Sequence, residues 1–207
     1  MIWSWIDTCV GIVAHHPGWA LAVVFAAAII EAVAVLGIVV PGTPILMAVT
    51  GAAAAAGQPM LPFLALAILG AVIGDFLSFW FGARHAATLR TMWPFSRWPD
   101  MIGRADWFFD RYGIASVAMC RFVPVLRSTV PLVAGMAGMN RKRFVLANVS
   151  SAFVWAPAHI YPAQFAGLML DALREGNWLA VAIWAGFLAI CLLGAFILHR
   201  LVVARAR

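Results

Sequence analysis

Four apolar segments, each long enough to cross a bilayer, constrain the fold of this chain more than any other feature. They cover residues 19–40, 61–81, 144–170 and 178–198, and a helix needs about 20 mostly apolar residues to span the hydrocarbon core. Of the 207 residues, 65% are hydrophobic and 11% are charged, and the mean hydropathy is +0.97. This composition excludes an ordinary soluble domain. We therefore expect an all-α, polytopic integral membrane protein with about four full transmembrane helices.

Two further apolar segments are interrupted by proline and glycine. Residues 41–58 begin with Pro41-Gly42-Thr43-Pro44, and residues 114–139 contain Pro124, Pro131 and Gly135. Proline interrupts the helical hydrogen bonds, and irregular backbone within a membrane is tolerated only in contact with protein or a cavity. We predict that each segment forms a re-entrant helical hairpin beside such a cavity.

The positive charges predict the orientation of the chain. Eleven of the fourteen Lys and Arg residues are expected to be cytoplasmic by the positive-inside rule: Arg84, Arg90, Arg97, Arg104, Arg111, Arg141, Lys142, Arg143, Arg200, Arg205 and Arg207. Residues 84–112, in which aromatic and charged side chains alternate, are expected to form an amphipathic segment on the cytoplasmic leaflet. Both ends of 114–139 then face the cytoplasm and both ends of 41–58 face the outside, so the two hairpins oppose each other. Both chain termini are predicted to be cytoplasmic.

A weak internal match accompanies the opposed hairpins. A shift of 81 residues aligns Gly57 with Gly138 and Phe63 with Phe144. Transporters built from inverted repeats place their binding sites at broken helices near the bilayer midplane. We therefore predict one membrane domain over residues 1–207, composed of a first repeat (19–83, hairpin 41–58), the cytoplasmic segment (84–112), a second repeat (114–170, hairpin 114–139) and a C-terminal transmembrane helix (178–200).

Four charged residues lie within apolar segments: Glu31, Asp75, Arg121 and Arg127. A charge at the bilayer centre costs from about 2.5 kcal/mol upward, so it faces a partner, a cavity or a ligand. The acids are expected to pair with the arginines, and Asn148 is expected to add an amide. The sequence leaves open which acid pairs with which arginine, and whether the charges only hold helices together.

These residues occur in an ordered set that resembles the DedA family, whose members contain the VTT or SNARE-associated domain. The resemblance covers roughly residues 19–167 and comprises the following pieces: Glu31, Pro41-Gly42, Gly70-x-x-x-Gly74-Asp75, Trp80-x-Gly82, Tyr112-Gly113, Arg121-Phe122-x-Pro124-x-x-Arg127, Pro131-x-x-Ala134-Gly135, Met139, Phe144 and Asn148. It implies lipid transport across the cytoplasmic membrane, with undecaprenyl phosphate or a phospholipid as substrate, dependence on the proton motive force and a role in envelope homeostasis. By the same resemblance, Glu31 is the family's essential acid and Arg121 and Arg127 are its paired arginines. A second acid commonly follows the Pro-Gly of the first hairpin, and Thr43 occupies that position here.

Two guanidinium groups beside a proline-containing hairpin are suited to holding a phosphate through charge-assisted hydrogen bonds. We therefore predict a headgroup site of Arg121, Arg127 and Asn148, with Glu31 and Asp75 in proton coupling or charge pairing. The predicted hairpin elements are Pro41, Gly42, Thr43, Pro124, Pro131 and Gly135. His159 is interpreted as a hydrogen-bonded packing residue.

The expected partner is a phosphate-bearing membrane lipid rather than nucleic acid. Coupling to H+ or Na+ and a homodimer stay open. We expect no catalytic residues, no metal and no cofactor, because the chain lacks a nucleophilic or metal-activating set of residues at usable spacing. The alternatives are an ion-coupled small-solute transporter and a structural membrane-homeostasis factor without transport.

Overall fold

The structure is a computed structural model that describes residues 11–34, 36–92, 97, 121, 124–183 and 185–186. Within these residues the chain is helical and contains no strand. The helices are α1 (Pro17–Ala32), α2 (Leu36–Val39), α3 (Gly42–Ala55), α4 (Met60–Arg84), α5 (Ala86–Thr91), α6 (Pro124–Met136) and α7 (Arg141–Arg174). Residues 11–15 and 178–183 are helical as well.

Two helices of the described part, α4 and α7, are long and apolar enough to cross a membrane. Helix α4 has 25 residues and α7 has 34, whereas the apolar helices α1 and α3 have 16 and 14. The all-helical architecture and these two candidate spans agree with the predicted membrane class. Most of the predicted cytoplasmic segment 84–112, part of the C-terminal helix 178–200 and both chain termini lie outside the described residues.

The predicted span over residues 19–40 is wrong at its C-terminal end, because α1 ends at Ala32. Ser78 of α4 satisfies the backbone at this break: its Oγ accepts the Ala34 N–H at 3.0 Å and lies 3.1 Å from the Ala32 carbonyl oxygen. The chain then passes so close to α1 that a Cβ on Gly37 would overlap the Glu31 carbonyl oxygen. A polar group on a neighbouring helix therefore stabilises a break that no proline marks.

The predicted hairpin segments also differ in their boundaries. Residues 42–55 form one continuous helix, α3, and the irregular backbone precedes it, around the short helix α2. Of the second segment, α6 covers Pro124–Met136 without interruption, with Pro131 in its interior. Residues 114–120 and 122–123 lie outside the described residues, so the first limb of that hairpin stays a prediction.

Helices α3 and α6 end in turns with the same hydrogen bonds. In both turns, successive N–H groups bond to carbonyl oxygens four, three and five residues earlier, and the left-handed residue is Gly57 (φ 70°) or Gly138 (φ 76°). Glycine adopts this conformation without steric cost, which makes it a common helix-ending residue. The same pattern ends α7 at Gly176. The turns therefore explain the aligned glycines by local helix-ending chemistry.

The packing of the helices is reciprocal. Helix α3 packs against α7, and α6 packs against α4, so the helix before each glycine turn contacts the long helix that follows the other turn. The closest approaches correspond as well, because a Cβ on Gly51 would lie 3.1 Å from the Ala163 carbonyl oxygen, and one on Gly82 would overlap that of Leu132. The shift of 81 residues aligns Gly51 with Leu132 and Gly82 with Ala163. The two close contacts are therefore equivalent under the internal match.

Replacing Gly82 by Val is expected to destabilise the protein by about 1–3 kcal/mol, the usual cost of overpacking. The new side chain would meet the backbone of α6, which cannot move aside as a flexible side chain can. Chemical unfolding in detergent measures the effect. Gly18→Val is the matched control, because a Cβ there meets nothing within 4 Å. A Gly82→Val protein as stable as this control would contradict the close crossing of α4 and α6.

The buried interior consists of two apolar clusters separated by a layer of polar side chains. One cluster joins α1, α3, α4 and α7 and includes Val24, Leu46, Phe63 and Trp155. The other joins α4, α6 and α7, where the rings of Phe79 and Phe144 stack with centroids 4.2 Å apart. Along α4, Asp75 lies between Ala71 of the first cluster and Phe79 of the second. The charged residues therefore lie in the middle of the bundle rather than at its ends.

Candidate functional site

Arg127 and Glu31 form a buried ion pair between α6 and α1. Arg127 Nη1 lies 2.8 Å from Glu31 Oε1, and the side chains are 5% and 13% exposed. The Thr43 hydroxyl at the start of α3 donates a hydrogen bond to the same Glu31 oxygen and accepts one from Arg127 Nη1 at 3.4 Å. Gly42 leaves room for this contact, because a Cβ there would lie 2.7 Å from Glu31 Cβ. Three helices thus meet at one carboxylate oxygen.

The Arg127–Glu31 contact uses one nitrogen and one oxygen rather than the two-pronged arrangement open to an arginine and a carboxylate. Arg127 Nη2 and Glu31 Oε2 are both buried, and neither has a hydrogen-bond partner among the described residues. A buried N–H without a partner is costly and usually marks a bound water, an ion or a functional role. The pair therefore leaves one donor and one acceptor unsatisfied within the described part of the chain.

Arg121 and Asp75 form the second ion pair, with more partners. Arg121 Nη2 lies 2.9 Å from Asp75 Oδ2, and these side chains are 4% and 7% exposed. Arg121 Nη1 donates to the backbone oxygen and Oδ1 of Asn148, at 3.0 and 2.9 Å, and to Ser151 Oγ at 2.8 Å. Asn148 Nδ2 in turn donates to the Val72 carbonyl oxygen at 3.0 Å. These bonds connect Arg121 to both α4 and α7.

Trp155 of α7 lies beside both guanidinium groups. Its ring centroid is 4.4 Å from Arg127 Cζ and 5.8 Å from Arg121 Cζ, within the range of cation–π attraction. The residue is only 1% exposed. The indole ring therefore separates the two arginines from the first apolar cluster and presents them with an electron-rich face.

A cavity of about 520 Å³ lies at the centre of these contacts. Its lining combines the charged residues with the irregular backbone before α3: Glu31, Gly37, Val39, Pro41, Thr43, Pro44, Arg121, Arg127, Trp155 and His159. Its volume falls in the range typical of small-molecule sites, about 300–1,000 Å³. Among the described residues, no group of three or more His, Cys, Asp and Glu side chains is arranged to hold a metal ion.

The structure brings together most of the residues that the sequence singled out. Glu31, Arg121, Arg127, Pro41 and Thr43 line one cavity, and Asp75 is the counterion of Arg121. Gly135 instead packs against the Phe79 carbonyl oxygen. Pro124 and Pro131 belong to α6, with Pro124 as its first residue. Pro131 and Gly135 belong to the helix that carries Arg127 and, among the described residues, do not line the cavity.

The predicted headgroup role of Asn148 stays a prediction. The residue is absent from the cavity lining and uses both ends of its amide to connect Arg121 with α4. Sequence reasoning passed over Trp155 and Ser151 and treated His159 as a packing residue. A signal was present, because Asn148, Ser151, Trp155 and His159 recur at the spacing of one helical face.

The fold and this site define a helical membrane protein whose charged residues are paired in the middle of the bundle. Residues 40–165 match the VTT domain. The chain therefore belongs to the VTT-domain, or DedA, family, as its motifs indicated.

Several relatives are membrane proteins. The chain is 30% identical to the inner membrane protein YabI of Escherichia coli (strain K12) over 179 residues, which are 81% of this chain and 70% of that protein. It is 31% identical to the uncharacterized membrane protein Rv2637 of Mycobacterium tuberculosis over 170 residues, which are 76% of this chain and 77% of that protein. Protein DedA of E. coli (strain K12) is 28% identical over 165 residues, or 75% of this chain and 73% of that protein. No solved structure matches the chain.

Proposed function

We propose that this protein moves a phosphate-bearing lipid across the cytoplasmic membrane, with the phosphate bound at Arg127. The observation that carries this proposal is the free Nη2 donor of Arg127, buried in a residue that lines a cavity within a membrane protein. A guanidinium in a poorly solvated site suits a phosphate oxygen well. Arg121 lines the same cavity and adds to its positive potential, while its own hydrogen bonds fix its position.

The charge balance of the site supports a proton-linked exchange. Two guanidinium groups face two carboxylates, so the cluster is neutral without a ligand. A phosphate that binds Arg127 at Nη2 competes with Glu31, which contacts Nη1, for the positive charge of the same guanidinium. Protonation of Glu31 weakens its hold on Arg127 and leaves the arginine for the phosphate. Release of that proton restores the ion pair and expels the ligand, which couples lipid movement to the proton gradient.

An apolar cavity is placed to receive the hydrocarbon chain of such a lipid. It has a volume of about 630 Å³, lies between α1, α3 and α7 and includes Met47, Gly51 and Ala163 in its lining. Met47 and Ala163 lie one helical turn beyond Thr43 and His159 of the polar cavity. Headgroup and tail would thus occupy successive levels of the same three helices.

The reciprocal packing of α3 with α7 and of α6 with α4 supports an inverted repeat and two opposed hairpins. In such transporters, one repeat moves against the other around a fixed central site, so that the site faces each side in turn. Arg127 on α6 and Glu31 on α1 would lie on the two moving parts. Breaking and re-forming their ion pair would then accompany the movement.

Native mass spectrometry of the purified protein tests this function. We expect a phosphate-bearing lipid to co-purify with the wild type and to be lost from Arg127→Ala. Arg84→Ala is the matched control, because Arg84 is exposed in the last turn of α4. This variant measures how much lipid is lost when one exposed positive charge is removed. Equal lipid enrichment in all three proteins would contradict a site at Arg127. No enrichment in any of them would favour an ion-coupled small-solute transporter, whose uptake would not depend on lipid identity.

A further inference from the structure

His159 is a titratable residue of the polar cavity without a role in the exchange described above. Its Nδ1 lies 2.8 Å from the Trp155 carbonyl oxygen, one turn earlier in α7. A carbonyl oxygen only accepts hydrogen bonds, so Nδ1 carries the proton and the lone pair of the neutral ring is on Nε2. The imidazole also packs on Trp155, with ring centroids 4.8 Å apart, and lines the cavity together with Glu31 and Arg127.

Among the described residues that line the cavity, Glu31 is the one acid. Helix α1 contributes Glu31, the α6 side contributes Arg121 and Arg127, and the Asp75 carboxylate of α4 is engaged by Arg121. From α3 comes Thr43, whose hydroxyl cannot carry a charge. Protonating Glu31 gives this neutral cluster a net charge of +1, whereas a phosphate monoester carries up to two negative charges. A second proton acceptor would balance the remaining charge.

We infer that His159 is this second proton-binding group and that it accepts a proton on Nε2 when a phosphate monoester occupies the cavity. The inference rests on the proposed function and adds a residue and a substrate class to it. The proton comes from a hydronium ion of the solvent, which leaves water, or from the hydroxyl of the phosphate monoanion, which leaves the dianion, and the Nε2 lone pair receives it. The new N–H then donates to a phosphate oxygen beside Arg127. A phosphodiester has one charge and leaves His159 neutral, so this residue favours monoesters.

Nitrogen NMR of the full chain, labelled with ¹⁵N at histidine and held in detergent micelles, tests the inference. The probe is dodecyl phosphate, and the control ligand is dihexyl phosphate, a diester with the same number of carbons. At pH about 7.5 an unperturbed histidine is mainly neutral. We expect His159 to be the neutral Nδ1–H tautomer without ligand, doubly protonated with dodecyl phosphate and neutral with dihexyl phosphate.

His159→Asn assigns the signal and measures the effect on affinity. The asparagine amide takes the place of Nδ1 beside the Trp155 carbonyl oxygen and has no titrating nitrogen. The substitution is expected to weaken the binding of dodecyl phosphate about tenfold, which is equivalent to the loss of one charge-assisted hydrogen bond. The binding of dihexyl phosphate should be nearly unchanged. His85→Asn is the control for loss of a histidine, because His85 is exposed at the end of α4.

The outcomes separate this inference from the proposed function. A wild-type protein that does not bind dodecyl phosphate overturns both. Binding with His159 still neutral, or an Nε2–H tautomer in the free protein, overturns the inference and leaves the proposed function standing. If His159→Asn does not fold, replacing the other four histidines one at a time assigns the His159 signal by elimination, so the measurement on the wild type still tests the inference.

Discussion

Replacing Arg127 by Gln is expected to destabilise the protein by about 3–5 kcal/mol at neutral pH, because the change leaves Glu31 as an unpaired buried charge. The side chain of Glu31 is 13% exposed, and its second oxygen has no partner among the described residues. The double variant Glu31→Gln/Arg127→Gln should recover most of this loss, since a neutral pair needs no counterion. Chemical unfolding in detergent measures both changes.

The same double variant distinguishes a ligand site from a purely structural ion pair. If Arg127 binds the phosphate, the double variant is stable but carries no enriched lipid in native mass spectrometry. A stable double variant that keeps its lipid would show that the pair only holds α1 and α6 together. Stability and lipid binding therefore need to be measured on the same samples.

Replacing Asp75 by Asn is expected to cost a similar 3–5 kcal/mol, because it leaves the buried Arg121 without a counterion. Arg121 is 5% exposed overall, and its other partners, Asn148 and Ser151, are neutral. Asn148→Ala is the matched comparison. It removes hydrogen bonds but no charge, and should cost about 1–3 kcal/mol. If Asp75→Asn lowers the free energy of unfolding no more than Asn148→Ala does, the ion pair adds little to the stability of the network.

The lipid content of these variants tests whether the two arginines have different roles. Arg121 Nη1 donates three hydrogen bonds to α7, and its Nη2 lies 2.9 Å from Asp75 Oδ2, although its Nε has no partner among the described residues. Arg127 has fewer contacts with protein, and its Nη2 is also without a partner there. The paired variant Asp75→Asn/Arg121→Gln should therefore lose less lipid than Arg127→Ala. Equal losses would indicate that both guanidinium groups bind the phosphate directly.

The class of protein and the charged residues of the site were predictable because both follow from the free energy that it costs to place a charge in an apolar segment. Charges are expensive inside an apolar segment wherever the segment lies, so Glu31, Asp75, Arg121 and Arg127 indicated a buried cluster before any helix was placed. The sequence shows only the spacing of residues along the chain, however, and it did not reveal the break after Ala32. Its hydrogen bonds come from Ser78, more than 40 residues away in the chain. The contacts of Asn148 with Arg121 and with the Val72 carbonyl oxygen were not predictable for the same reason, since both partners are distant in the chain.

The sequence by itself determined that this chain is a helical membrane protein of the VTT-domain family with two acids and two arginines in its interior. Only the tertiary structure decided the pairing: Arg121 with Asp75, 46 residues away, and Arg127 with Glu31, 96 residues away. It also placed Thr43, Trp155 and His159 around one cavity. The physical reason is that these contacts depend on how closely the helices cross. Glycines such as Gly82 and Gly135 set those crossings against the backbone of a neighbouring helix, and the spacing of residues along one chain does not encode that geometry.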